Sequence, residues 1–165
     1  MMNEKLMKNI FVAAILWVGL ALIASSQEPD LRIEIKTEQA SVKTGEQFPV
    51  LTRILNISNR KQNFYVWSCS FSKNWDVDNS NIILDGEPCR ENGPSIILLK
   101  PKEAYERKLS LYVASKYTGQ DSTFKLGFKT FKLKSGELVI SPAGQAELTE
   151  PLWSNAVTMK IKENN

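Results

Sequence analysis

Two short patterns look like acyl-transfer chemistry. Ser70-Phe71-Ser72-Lys73 matches S-x-x-K, and Lys43-Thr44-Gly45 matches K-T-G. Such a pair would set a serine nucleophile beside an activating lysine. The context argues against it. In proteins that carry both motifs, the Ser-Lys element lies on a helix and comes first in the chain. Here the K-T-G comes first, and Ser70 sits in a strand-rich stretch beside Cys69. The chain has 165 residues, too few for the two-part fold that holds those motifs together. It also has no histidine, which removes Ser-His-Asp and Cys-His nucleophile pairs, His-ligated metals and a His pH switch.

Asp76, Asp78, Asn79, Asn81, Asp85 and Glu87 make an oxygen-rich run. Calcium takes six to eight hard oxygen ligands. A calcium loop starting at Asp76 would put its required glycine at Asn81 and its glutamate at Glu87, so one place fits and the other fails. The plainer reading is a turn region in which Asn and Asp bond their own backbone. No metal and no cofactor is therefore expected. Acidic residues are plentiful, but nothing marks two of them as a glycosidase pair. The expectation is a protein that is not an enzyme.

Cys69 and Cys89 are the only cysteines. The start of the chain bears on their redox state. Lys5 and Lys8 face a single Glu4, Ile10 to Ala24 carries no charge, and Ala24-Ser25-Ser26 offers small residues at a cleavage site before Gln27. Basic, apolar, small is the order of a secretory signal peptide. The apolar run is shorter than the about 20 residues of a membrane span. The sequence therefore predicts a signal helix in residues 1–26, cleaved after Ser26, with retention as an anchor the alternative, and one domain over residues 27–165. An exported chain meets an oxidising compartment, so a Cys69–Cys89 disulfide is expected. Free thiols or a redox pair are the alternatives, though redox pairs usually sit closer together. The expected location is secreted or periplasmic, with the membrane touched only through the export signal. The net charge of +3 comes from 21 basic and 18 acidic residues intermixed, so nucleic acid is not an expected partner.

Period-two alternation dominates the remainder. Leu31, Ile33 and Ile35 alternate with Arg32, Glu34 and Lys36, a half-buried strand. Ser41 to Glu46 reads as a turn. Phe48 to Ile57 reads as a central strand, Gln62 to Ser68 as an aromatic one, and Ser95 to Leu99 as an apolar one ending at Pro101. Tyr105, Leu109, Leu111 and Val113 share a parity. So do Phe124, Leu126 and Phe128, and then Val157, Met159 and Ile161. Residues 70–93 read as a polar excursion with one short strand at 81–85, and residues 135–151 as a loop or short hairpin. No segment carries a capped helical stripe. About seven to eight short strands predict an all-β antiparallel sandwich.

Certain stretches go further. Val42-Lys43-Thr44-Gly45-Glu46 leads to a strand that ends Asn56-Ile57-Ser58. Leu99-Lys100-Pro101-Lys102-Glu103 precedes a long strand, Phe124-Lys125-Leu126-Gly127-Phe128 follows, and Trp153-Ser154-Asn155 enters the last. This succession resembles secreted bacterial immunoglobulin-like domains, in which a glycine usually stands at the place of Lys102 and a tyrosine at that of Phe124. A fainter similarity is to the small sandwich-type proteinase inhibitors. The resemblance implies an immunoglobulin-like sandwich. Asn56-Ile57-Ser58 is a glycosylation acceptor only in a eukaryotic secretory pathway; elsewhere it is a strand end.

The function expected is non-catalytic recognition of a protein or cell-envelope component, through the 70–93 loop or through a sheet edge. Proteinase inhibition and carbohydrate binding are the alternatives. Trp67 is expected in the core, packed on the disulfide. Trp75 is the best candidate for an exposed anchor, against the alternative of a loop tryptophan folded over the sheet. Asp76, Asp78 and Arg90 complete the expected ligand-binding set.

Overall fold

The structure is a computed structural model that describes residues 30–86, 89, 93–134, 137–138 and 147–162. The expected signal segment, Glu87 and Arg90 lie outside the described residues.

The alternating stretches become strands. In one layer, β1 (Leu31–Lys36) pairs antiparallel with β3 (Gln47–Asn56), which pairs with β8 (Ala104–Val113), which pairs with β6 (Ile82–Leu84). β3 is central, as its apolar content predicts. Its inward face carries Phe48, Val50, Thr52, Ile54 and Asn56, all buried.

The facing layer is made of shorter pieces. β2 (Ser41–Lys43) runs parallel to β14 (Val157–Lys162), which pairs antiparallel with β9 (Asp121–Phe124). β10 (Leu126–Phe128) lies between β5 (Trp75–Val77) and β13 (Leu152–Trp153). β4 (Gln62–Trp67) pairs with β7 (Pro94–Leu99), and β11 (Leu133–Lys134) with β12 (Glu137–Leu138). The inner faces share one apolar core. Phe48 of β3 meets Phe124 of β9 edge-on at 6.1 Å, and Phe64 of β4 meets Tyr105 of β8 at 6.2 Å. The chain is thus an all-β sandwich.

Three expectations need correction. Ser41–Lys43 is a strand, and the turn begins only after it, because the chain changes layers there to pair with β14. Phe124, Leu126 and Phe128 do not share one strand. The run breaks at Lys125, whose N–H is taken by Asp78 Oδ1 (2.7 Å) and whose carbonyl accepts from the Asp78 N–H (3.3 Å). The 70–93 stretch holds more order than one short strand. Phe71–Asn74 forms a single 3-10 turn, and Trp75–Val77 joins the sheet.

Side-chain amides and hydroxyls splice the short strands of the second layer. Asn74, fully buried, accepts from the Trp67 N–H (2.8 Å) and donates to the Lys129 carbonyl (2.8 Å). Thr130 Oγ1 accepts from the Tyr65 N–H and donates to the Tyr65 carbonyl, both at 2.9 Å. Each side chain replaces a missing ladder partner, as buried backbone groups require.

Two turns share one design. Lys43-Thr44-Gly45-Glu46 closes with the Glu46 N–H on the Lys43 carbonyl (3.1 Å), and the Glu46 carboxylate returns to the Lys43 N–H (3.0 Å). Lys100-Pro101-Lys102-Glu103 repeats both bonds, at 3.1 and 2.7 Å. The third residue is left-handed in each, with φ of 75° at Gly45 and 65° at Lys102. The first of these turns is the K-T-G of the sequence, and backbone geometry accounts for it.

Candidate functional site

The structure scatters the residues expected to bind. Trp75 is 4% exposed, against its expectation as an exposed anchor. It sits in a strand, tilted on Phe128 at 5.2 Å and edge-on to Phe71 at 5.8 Å. Among the described residues its indole N–H has no hydrogen-bond partner. The reason for its burial is periodicity: the 3-10 turn ends at Asn74, and the first residue of β5 points inward. Asp76 holds Lys129 Nζ at 2.6 Å. Asp78 is occupied by the Lys125 backbone. Asn79 accepts from the Asn81 N–H (2.9 Å) and donates to the Thr123 carbonyl (2.8 Å). Asp85 accepts from Gln47 Nε2 (2.7 Å). These oxygens are committed to different neighbours, and among the described residues no three metal-ligating side chains converge. Asn56 is fully buried, which makes the N-x-S stretch a strand end and closes it to glycosylation.

Cys69 and Cys89 are bonded, with Cα atoms 5.9 Å apart. The bridge lies just beyond the end of the β4–β7 ladder, where the Ser68 N–H donates to the Gly93 carbonyl (2.9 Å). Trp67, expected in the core, is half-buried and packs edge-on to Phe131 at 4.9 Å. Among the described residues no helix is long and apolar enough to cross a membrane. The disulfide fits an extracellular or periplasmic setting.

The most built surface lies elsewhere, along β1. Among the described residues, β1 pairs only through β3. In an antiparallel ladder, alternate residues turn their N–H and C=O toward the partner strand. The Asp30 carbonyl accepts from the Ile57 N–H (3.0 Å), so even-numbered residues face β3. Odd-numbered ones face outward. At Ile35 the Asn155 side chain covers both groups: Oδ1 accepts from its N–H at 2.8 Å, and Nδ2 donates to its carbonyl at 3.1 Å. Among the described residues, Leu31 and Ile33 are left as the open part of the edge.

Two adjoining grooves of about 750 and 640 Å³ run along this edge, both lined by Arg32, Ile33 and Trp153. Trp153 is 45% exposed. Its place is fixed by a glycine: Trp153 stands opposite Gly127 across the β10–β13 pair, and a Cβ on Gly127 would fall 2.9 Å from the indole Cζ3. Ser154 holds the segment down. Its N–H donates to the Leu126 carbonyl (2.9 Å) and its Oγ accepts from the Leu126 N–H (3.0 Å). A large aromatic is thus held half in solvent beside unpaired backbone, a setting in which aromatics anchor partners. The sequence pattern favours Trp75 as the anchor and gives Trp153 no such mark. The available signal is its place between Pro151 and Ser154-Asn155, with Gly127 in an otherwise apolar strand, but only the strand pairing joins these residues.

No protein-family model and no curated protein matches the chain. Solved structures overlap it loosely. Native alpha-2-macroglobulin of Escherichia coli, seen by cryo-EM, matches with a TM-score of 0.44 and 10% identity over 82% of this chain and 7% of that one. The crystal structure of the same protein from domain MG7 to the C-terminus gives 0.44 and 10%, over 81% and 16%. A cohesin–dockerin complex from Clostridium thermocellum gives 0.26 and 10%, over 81% and 99%. The chain therefore spans a small part of the macroglobulin chains.

Proposed function

We propose that this chain is a non-catalytic, immunoglobulin-like binding module, exported to the periplasm or the cell exterior, that takes an extended protein segment onto the edge of β1. The layer order β1-β3-β8-β6, faced by β9 and β14, supports the immunoglobulin-like reading, because it follows the A-B-E-D and F-G strand order of that fold. The observation that carries the function is the open backbone of Leu31 and Ile33 beside the half-exposed Trp153. Main-chain bonds at such an edge give affinity, and side-chain pockets give specificity. The disulfide and the short side-chain splices keep the framework rigid, so little freedom is lost on binding.

The test is selection of peptides from a displayed random library on the intact chain, followed by amide exchange and mutation. Selected peptides are expected to slow exchange at Leu31 and Ile33. Trp153→Ala is expected to weaken them by about thirtyfold, the equivalent of about 2 kcal/mol at a central anchor. Peptides that bind Trp153→Ala as well as wild type and leave those two amides unprotected would overturn the proposal.

A further inference from the structure

The charges on β1 identify an occupant for this edge. The solvent face of the strand reads Asp30, Arg32, Glu34, Lys36, acid and base in strict alternation. A second β1 laid antiparallel on the edge must match outward-facing residues to outward-facing residues. If the two-fold axis passes through Ile33, then Arg32 of each copy lies opposite Glu34 of the other. Every pair across the junction is then of opposite sign. Sliding by two residues one way sets Arg32 against Arg32. Sliding the other way sets Glu34 against Glu34. Like charges directly opposite one another repel, so the pattern selects one register. We propose that the partner of the β1 edge is a second copy of this chain, joined in a two-fold dimer through Ile33, with the two β1–β3–β8–β6 layers running on as one sheet.

This dimer rests on the reading of β1 as the binding edge and names its occupant. The geometry around Ile33 agrees with it. Ile33 offers both backbone groups, and its side chain is already buried in its own core, so pairing demands no change inward. Asn155 ends the open edge at Ile35, which confines pairing to the centre of symmetry. An isologous contact of this kind closes on itself and does not propagate into fibres.

The experiment measures self-association of the full chain by sedimentation equilibrium. Wild type is expected to dimerise reversibly. Arg32→Glu places acid against acid across the junction, and Glu34→Arg places base against base. Each is expected to weaken dimerisation by on the order of tenfold. An equimolar mixture of the two variants is expected to restore it, because the acid introduced in one copy then faces the base introduced in the other. Loss of the Arg53–Glu34 pair within one chain (3.1 Å) cannot produce that rescue. Asn155→Ala, which uncovers Ile35 for Leu31 of the second copy, is expected to tighten the dimer. A monomeric wild type, or no rescue on mixing, would overturn the inference. A monomer whose β1 still protects selected peptides, or a dimer that the β1 variants leave untouched, would sink the dimer and leave the binding edge standing; a monomer whose β1 protects no selected peptide would sink both.

Discussion

Asn56 gives the sharpest test of how this fold is held. It is fully buried at the end of β3. Its Nδ2 donates to the carbonyls of Arg60 (2.8 Å), Lys100 (3.0 Å) and Leu99 (3.2 Å), and its Oδ1 accepts from the Ser58 N–H (3.0 Å) and Oγ (2.8 Å). One amide therefore joins the 58–60 turn, the end of β7 and the turn into β8. Asn56→Ala removes all of these bonds and leaves carbonyls facing a void. At about 1 kcal/mol for a typical net bond, and with part of the set left buried and unsatisfied, the loss should be about 3 kcal/mol. For a domain of this size that lowers Tm by about 10 °C. Asn56→Asp separates shape from chemistry. It keeps the volume and the acceptor for Ser58 but points a carboxylate oxygen at three carbonyls. The charged form is disfavoured in the fold, so the folded carboxyl titrates above its unfolded value. Its stability is then retained at low pH and lost as pH rises through the carboxylate range, the reverse of an ion-paired aspartate. The assay is urea unfolding of each variant across acid to neutral pH, read by tryptophan fluorescence. An Asn56→Ala within about 0.5 kcal/mol of wild type, the usual spread for surface substitutions, or an Asn56→Asp that gains stability with pH, would refute the assignment.

Other outcomes follow from single observations. Lys102→Gly relieves a left-handed lysine and should raise stability by about 0.5–1 kcal/mol, while Gly45→Ala in the matching turn should lower it by a similar amount; calorimetry of both checks the sign. Trp75→Ala should cost about 3–5 kcal/mol as a core truncation, whereas Trp75→Phe should cost much less, because it also removes a buried indole N–H that has no partner among the described residues; comparable losses in urea unfolding would contradict this. Replacing both Cys69 and Cys89 by Ala should cost about 3 kcal/mol on the chain-entropy account of a loop closed over a separation of 20 residues, measured against the oxidised chain by urea titration.

Alternation of apolar and charged residues at 31–36 and shared apolar parity at 105–113, with the apolar run at 48–57, place three of the four strands of one layer, because a half-buried strand must alternate and a central one is apolar. The cysteine pair is legible too, and so are Gly45-Glu46 and Lys100 to Glu103 as turns. The other layer is harder to read. Its strands are two to six residues long, and their backbone partners are side chains: Asn74 for Trp67, Thr130 for Tyr65, Ser154 for Leu126. A polar residue destined to stand in for a neighbouring strand looks, in one dimension, like any loop residue. That is why the 70–93 stretch reads as an exposed excursion and Trp75 as its anchor.

The residue pattern alone specifies a β-sheet core, since periodicity acts locally and needs no knowledge of neighbours. Which tryptophan meets solvent, and which strand edge stays open among the described residues, is set by the packed fold. Both depend on contacts between residues far apart in the chain: Gly127 under Trp153, and Asn155 covering the backbone of Ile35.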